Sequence, residues 1–362
     1  MPDKINLKDL TLSELELFLS RLGAKKYRAR QVAEWIFQKG ADSFREMTDL
    51  SLDLRERLAA VAWISHPKIL ARRTSKRGDT IKYLFGLDDG QVVESVFMKH
   101  NYGHSACIST QVGCRMGCRL CASGLEGLVR NLSSGEMYDQ VLGIQKDTGK
   151  RVGHLVLMGA GEPLDNYDAT LALIKQITAP YGLKIGLRHI TISTCGLVPR
   201  IRKLAAERLP LTLAVSLHAP NDPLRDTLVP VNKKYPIAEL MSACRDYARE
   251  TGRRITFEYA LIEGVNDRNE HASELGRLLS GMLSHVNLIP ANPVIERGIA
   301  PPSRERVECF KRLVEKHGIA ATVRRELGAD IDAACGQLRR RVYPEGCGVF
   351  PGRLHDEPGK PL

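Results

Sequence analysis

The chain has 362 residues, 43% of them hydrophobic and 26% charged, which is a folding composition and, at ~150 residues per domain, makes room for one large domain with a smaller one. No apolar run approaches the ~18 residues of a membrane span, and the opening MPDKINLKDL lacks the apolar core of a secretory signal, so a cytoplasmic protein without membrane contact is expected. Lys and Arg number 53 against 42 Asp and Glu, a net charge of +11 that leans toward a polyanionic partner such as nucleic acid.

Residues 1–75 read as a small helical domain. Thr11 and Glu14 stand at capping-box spacing ahead of Leu15, Leu17, Phe18 and Leu22, and further helical stretches fall near 29–38 and 52–61. Basic residues punctuate this part (Lys25, Lys26, Arg28, Arg30, then Arg72, Arg73, Lys76 and Arg77), giving either a solvated face or an RNA-docking module. In 76–104, Ile81, Tyr83 and Phe85 alternate with their neighbours, Asp88-Asp89-Gly90 is a turn, and 91–99 reads as a return strand, so a β-hairpin leads into the main domain.

From 105 to 341 short apolar strands alternate with helical patterns. Strands are expected at 106–110, 154–158, 189–193, 211–217, 255–261 and 285–289, and helices at 134–148, 167–178, 198–207, 237–250, 269–282 and 304–316, with a further strand at 321–325. Six β-then-α units predict an α/β fold around a parallel sheet with right-handed crossovers, as an open doubly wound sheet or a complete or partial barrel. The tail, 342–362, is rich in Pro and Gly and is expected to be flexible.

Nine cysteines in a reducing compartment point to a metal or a catalytic role for those that cluster. Cys114, Cys118 and Cys121 follow the first strand of the alternating series as C-x3-C-x2-C. Structural zinc sites close with four ligands and ordinary four-iron clusters take four cysteines, so three thiolates on one loop leave one coordination position open. The spacing matches the radical S-adenosylmethionine superfamily, in which the open iron of a 4Fe–4S cluster chelates the cosubstrate. A zinc site with a remote fourth ligand and metal-free buried thiols are the alternatives. Ligands of β/α domains bind at the carboxyl ends of strands. Polar groups recur there: Gly161-Glu162 after the second strand, Ser193-Thr194-Cys195-Gly196 after the third, Ser216-Leu217-His218 at the fourth and Pro290-Ala291-Asn292 after the sixth. Cys335 lies far downstream in GADIDAACGQLRRR.

Nine segments, VVESVFM, CISTQVGCRMGCRLC, GLVRNL, MGAGEPLDN, ITISTCGLVP, AVSLHAPND, LVPVNKKYPI, NLIPAN and GADIDAACGQL, run in order from about residue 92 to 338, and together they resemble the RlmN-type radical S-adenosylmethionine RNA methyltransferases. The resemblance implies a partial (β/α)6 radical SAM barrel, with the N-terminal helical domain and the β-hairpin as extensions. It implies C2 methylation of an adenosine of 23S rRNA near the peptidyl-transferase centre and of the tRNA adenosine 3′ of the anticodon. By the same resemblance Cys114, Cys118 and Cys121 hold the cluster, while Gly161, Glu162, Ser193, Ser216, Leu217, His218 and Asn292 hold S-adenosylmethionine, two molecules per turnover. Cys335 becomes S-methylated, Cys107 resolves the enzyme–RNA adduct through a transient disulfide, and Glu94 accepts the C2 proton; from position alone Glu94 reads as a solvent-facing strand residue. An electron donor such as flavodoxin or ferredoxin is implied, and a monomer is expected. Ala122-Ser123-Gly124 after the last cluster cysteine departs from the commoner family pattern toward the sister Cfr type, a C8 methyltransferase of the same nucleotide, whereas MGAGEPLDN and NLIPAN fit the RlmN type. A reading of another class is a non-catalytic, metal-stabilised RNA-binding protein. Cys195, Cys244, Cys309 and Cys347 carry no assigned role.

Overall fold

A computed structural model describes residues 4–125, 127–291, 299–324 and 331. The N-terminal unit comprises α1 (Leu12–Arg21), α2 (Tyr27–Ala33) and α3 (Leu52–Val61), clasped by two parallel two-residue strands, β1 (Ile5–Asn6) and β2 (Ala62–Trp63). The capping box forms: the Glu14 N–H donates to Thr11 Oγ1 over 3.3 Å, and the Glu14 carboxylate accepts from the Thr11 N–H over 2.8 Å. The stretch expected as one helix near 29–38 starts earlier, as α2, and finishes as a π-helical turn over Glu34–Gln38.

One ten-stranded sheet dominates. Four antiparallel strands begin it: β3 (Lys68–Thr74), β4 (Thr80–Gly86), β5 (Val92–His100) and β6 (Gly103–Cys107). Residues 68–74, expected within the helical part, are therefore an edge strand. Its Lys68, Arg72 and Arg73 interrupt the apolar alternation that would have marked it, and such charges suit an edge that must not pair with another chain. A small ladder of β7 (Gln111–Gly113) and β8 (Leu128–Asn131) follows, enclosing the cysteine loop. The parallel series then runs α4 (Ser134–Thr148), β9 (His154–Leu157), α5 (Tyr167–Thr178), β10 (Ile190–Thr194), α6 (Val198–Ala206), β11 (Thr212–Ser216), α7 (Asp222–Leu228), α8 (Ile237–Thr251), β12 (Ile255–Leu261), α9 (Asn269–Leu279), β13 (Ser284–Pro290), α10 (Arg304–Glu315) and β14 (Ala320–Val323). Strand order is β14-β13-β12-β11-β10-β9-β6-β5-β4-β3, parallel from β6 to β14. Among the described residues both edges are open, so the (β/α)6 series makes a partial barrel, and the hairpin is continuous with its sheet.

Period-two alternation gives the sheet two unlike faces. Leu155, Leu157, Ile190, Ile192, Leu213, Val215, Phe257 and Leu288 share one core with helix residues such as Leu173, Ile201, Leu240 and Leu275. The opposite face carries Thr191, Ser193, Ser216, Thr256, Glu258 and Asn287, in register across β10–β13. The helices cover the apolar side, and chemistry is left to the polar one.

The N-terminal unit is fastened to α4. Lys8, fully buried, is ion-paired with Asp139, and its Nζ also donates to the Ser65 carbonyl over 2.6 Å; Ser65 Oγ donates to the other Asp139 oxygen over 2.5 Å. A Cβ at Gly135 would stand 2.6 Å from Asp9 Oδ1 and 2.8 Å from Lys8 Cβ, so this approach requires glycine.

Candidate active site

The cysteine loop is set by its glycines. Gly113 ends β7 at φ +78°, and a Cβ there would stand 2.1 Å from the Gly127 carbonyl that accepts the Cys114 N–H over 2.8 Å. The Arg119 N–H donates to the Leu228 carbonyl over 2.9 Å, and Met116, Cys118 and Leu120 pack on a second apolar cluster formed by Cys195, Ala219, Leu228, Val229 and Ile262. Cys114 is buried, and burial pushes its thiol up to about 12; Cys118 and Cys121 are half-buried. The Cys195 thiol donates to the Cys118 sulfur. That bond lowers Cys118 below the usual thiol range and holds Cys195 well above it, so Cys118 is the readier thiolate.

The rim residues follow in strand order. Cys107 ends β6, buried, on the face it shares with Val96 of β5 and Val156 of β9. Glu94 lies on that same face of β5 and is 5% exposed; its carboxylate pairs with Lys82 Nζ of β4 over 3.0 Å, and Lys82 is fully buried. The solvent-facing placement expected for Glu94 from its position is thus corrected, because the strand's other side is turned to the helices and this side to the site. Gly161, at φ +106°, brings backbone against Thr110 and Gln111, where a Cβ would stand 2.8 Å from the Gln111 nitrogen. Glu162 is buried, and burial raises its pKa. Its two oxygens accept from the Cys195 N–H (2.8 Å) and the Leu164 N–H (3.1 Å), tying the ends of β9 and β10. Ser193 and Ser216 are half-buried on the polar face, and Leu217 is buried.

His218 adopts φ +58°, uncommon for a residue with a side chain. Its Nδ1 accepts from the Ala260 N–H over 3.0 Å, which places the ring proton on Nε2. Desolvation of the ring, with Arg225 adding repulsion, pushes its pKa down to about 3, so it is neutral at working pH. Asn292 and Cys335 lie outside the described residues, as does the tail with Cys347.

Arg225 and Lys82 are residues of this region that no motif in the sequence marks, and Cys195, placed at the rim without a role, is the partner of Cys118. The Arg225 guanidinium, fully buried, donates to the carbonyls of Cys195 (2.6 Å), Ser216 (3.1 Å) and Leu217 (3.1 Å) and to Asn232 Oδ1 (2.9 Å). It clamps the ends of β10 and β11 together. Nothing in APNDPLRDTL marks that arginine, since its partners are backbone carbonyls eight to thirty positions away.

The donor set suits a polynuclear iron–sulfur group. Among the described residues no three His, Cys, Asp or Glu side chains converge on a point where one ion would sit. A cubane takes one thiolate on each of three separate irons, so its ligands need not converge. Two buried hydroxyls beside the loop, Thr110 Oγ1 and Ser123 Oγ, have no hydrogen-bond partner, leaving donors for a guest.

Comparisons with known proteins follow this geometry closely. Residues 108–275 match the radical SAM superfamily, and residues 5–64 match the ribosomal RNA large subunit methyltransferase N-terminal domain. A crystal structure of a radical SAM methyltransferase from Sphaerobacter thermophilus aligns with TM-score 0.87 at 47% identity, covering 92% of this chain and 98% of that one. The protein is accordingly a radical SAM methyltransferase, and the superfamily brings with it an iron–sulfur cluster and S-adenosylmethionine. A probable dual-specificity RNA methyltransferase RlmN of Pelotomaculum thermopropionicum is 71% identical over 345 residues, 95% of this chain and 94% of that protein. One of Desulforamulus reducens is 60% identical over 339 residues, 94% and 97% of the two chains. The chain belongs to the RlmN family of RNA methyltransferases. Among the described residues no helix is long and apolar enough to cross a membrane.

Proposed function

We propose that this enzyme methylates C2 of an adenosine in 23S rRNA near the peptidyl-transferase centre and C2 of the tRNA adenosine 3′ of the anticodon. The observation that carries the reading is the shared face of Glu94 and Cys107: a buried carboxylate paired with Lys82 and a buried thiol, on neighbouring strands beside the three-cysteine loop. Cys114, Cys118 and Cys121 hold a 4Fe–4S cluster, and Gly161, Glu162, Ser193, Ser216, Leu217, His218 and Asn292 seat S-adenosylmethionine. Together the bound groups supply the methyl carbon and the one-electron chemistry that an unactivated aromatic C–H demands, drawing on a donor such as flavodoxin or ferredoxin.

The chain's own residues do the rest. Cys335 carries the methyl carbon on its sulfur and delivers it to C2, so that RNA and enzyme are joined through that carbon. Glu94 takes the C2 proton, and the ring regains aromaticity. Its ion pair with Lys82 holds the carboxylate in place before the base arrives. The Cys107 thiolate then attacks the Cys335 sulfur; the S–S bond forms as the C–S bond breaks, the methylene carbon keeps that bond's electron pair and takes up a proton to become the product's methyl group, and an external reductant restores both thiols. A cytosolic disulfide of this kind is transient and catalytic. The N-terminal unit with its basic residues docks the RNA of a monomeric enzyme, and the target base is drawn out of its stack to reach the polar face.

The test is anaerobic. Cluster-loaded enzyme, S-adenosylmethionine, a reductant and either an unmodified 23S rRNA fragment or tRNA are combined, and the digested nucleosides are identified by mass spectrometry. 2-Methyladenosine from both RNAs is expected. 8-Methyladenosine would move the enzyme to the Cfr type, and product from one RNA alone would narrow its range.

A further inference from the structure

Glu258 belongs to none of the groups assigned above. It sits mid-strand on β12, on the polar face, and is 7% exposed. Its Oε2 accepts from Asn287 Nδ2 of β13 over 2.8 Å. Among the described residues the cation that favours its charge is Arg324, which is exposed to solvent and forms no ion pair with it. A carboxyl this deeply buried, steadied by an amide and by no ion pair among the described residues, is costly to keep unless a guest supplies a further donor. Burial correspondingly raises its pKa.

The neighbours say which donor. Glu258 is the register partner of Ser216, and its own carbonyl accepts the N–H groups of Leu217 (3.0 Å) and His218 (3.3 Å). The segment 216–218 is thus hung on the backbone of Glu258, and the carboxyl shares the face of Ser193 and Ser216. Glu94, where the RNA base must present its C2 proton, lies five strand steps away along β12-β11-β10-β9-β6-β5. We propose that Glu258, oriented by Asn287, is a cosubstrate-binding residue that accepts a hydrogen bond from a hydroxyl or amino group of S-adenosylmethionine. This rests on the reading that residues 216–218 seat the cosubstrate. A carboxyl oxygen accepts from such a group directly, whereas the amide of a glutamine would turn a donor toward it.

The experiment is equilibrium dialysis of S-adenosylmethionine against the cluster-loaded, full-length enzyme, without RNA or reductant. Glu258→Gln, nearly isosteric, is expected to weaken binding about ten- to hundred-fold while RNA affinity stays as it was. If Glu258→Gln fails to fold, Asn287→Ser keeps the carboxyl but removes its orienting amide and is expected to weaken cosubstrate binding as well. Cosubstrate affinity within about twofold of the unaltered enzyme would overturn the inference; a KM for RNA raised at the same time would reassign the carboxyl to the nucleic acid. Failure of the unaltered holoenzyme to bind S-adenosylmethionine would overturn the underlying reading, a result distinct from failure of the variant alone.

Discussion

Among the described residues two buried lysine–carboxylate pairs stand in different settings. Lys8 and Asp139 join the N-terminal unit to α4, wrapped by the Ser65 hydroxyl and carbonyl. Lys82 and Glu94 lie within the sheet, on the face that carries Cys107. Desolvation makes either pair costly to break, because the surviving partner is left charged and buried. What separates them is the surface they look onto. The first ties the N-terminal unit to α4; the second lies on the sheet face that carries Cys107, where Glu94 is proposed to act as a base. Burial and pairing alone do not mark a catalytic group; the face of the sheet does.

Substitutions can break this comparison. The largest effect is expected at Glu94→Gln, which removes the proton acceptor and should slow methylation roughly hundred- to ten-thousand-fold, read as 2-methyladenosine formed per minute. Lys82→Met should cost about 3–5 kcal/mol in unfolding free energy by denaturant titration. It should also slow methylation per folded molecule, because the Glu94 carboxylate loses the ammonium that positions it. Lys8→Met should cost a similar ~3–5 kcal/mol and leave turnover per folded molecule unaltered. Slowed turnover in Lys8→Met, or unaltered turnover in Lys82→Met, would erase the distinction.

The smallest effect is at the start of α1. Thr11→Ala should cost ~1 kcal/mol through loss of the cap. The Thr11 hydroxyl and N–H hold the Glu14 carboxyl below its usual 4.5. A carboxyl depressed in the folded state stabilises above its unfolded value and loses that contribution as pH falls through the folded one. The first turn of α1 should therefore loosen below about pH 4.5, seen as faster amide exchange at Glu14, and Thr11→Ala, which keeps the backbone N–H but removes the hydroxyl, should weaken that pH dependence.

Much of this was legible in the residues themselves. Helices with periodic apolar faces and clear caps, such as α4 with Ser133 and Glu136 at capping-box spacing, fall where periodicity predicts, Ser134–Thr148. The β/α alternation survives because each strand's outward side is apolar and each helix must cover it. β3 was illegible since its basic residues hide the alternation. At the site, the cysteine spacing and the polar residues at strand ends could be read because each lies within a short local motif. Arg225, Lys82 and Glu258 could not: their meaning lies in contacts across strands, and the same letters on the other face of a strand, or one turn further along a helix, would mean nothing.

Glu94, Cys107 and Cys335 are proposed to act on one base in one site. The most direct test is Cys107→Ala under turnover conditions, followed by nuclease and protease digestion and mass spectrometry of the Cys335 peptide. The account predicts an adenosine joined to that peptide through one added carbon, and a protein–RNA band that survives a denaturing gel. Full release of methylated RNA by Cys107→Ala, with no such adduct, would contradict it.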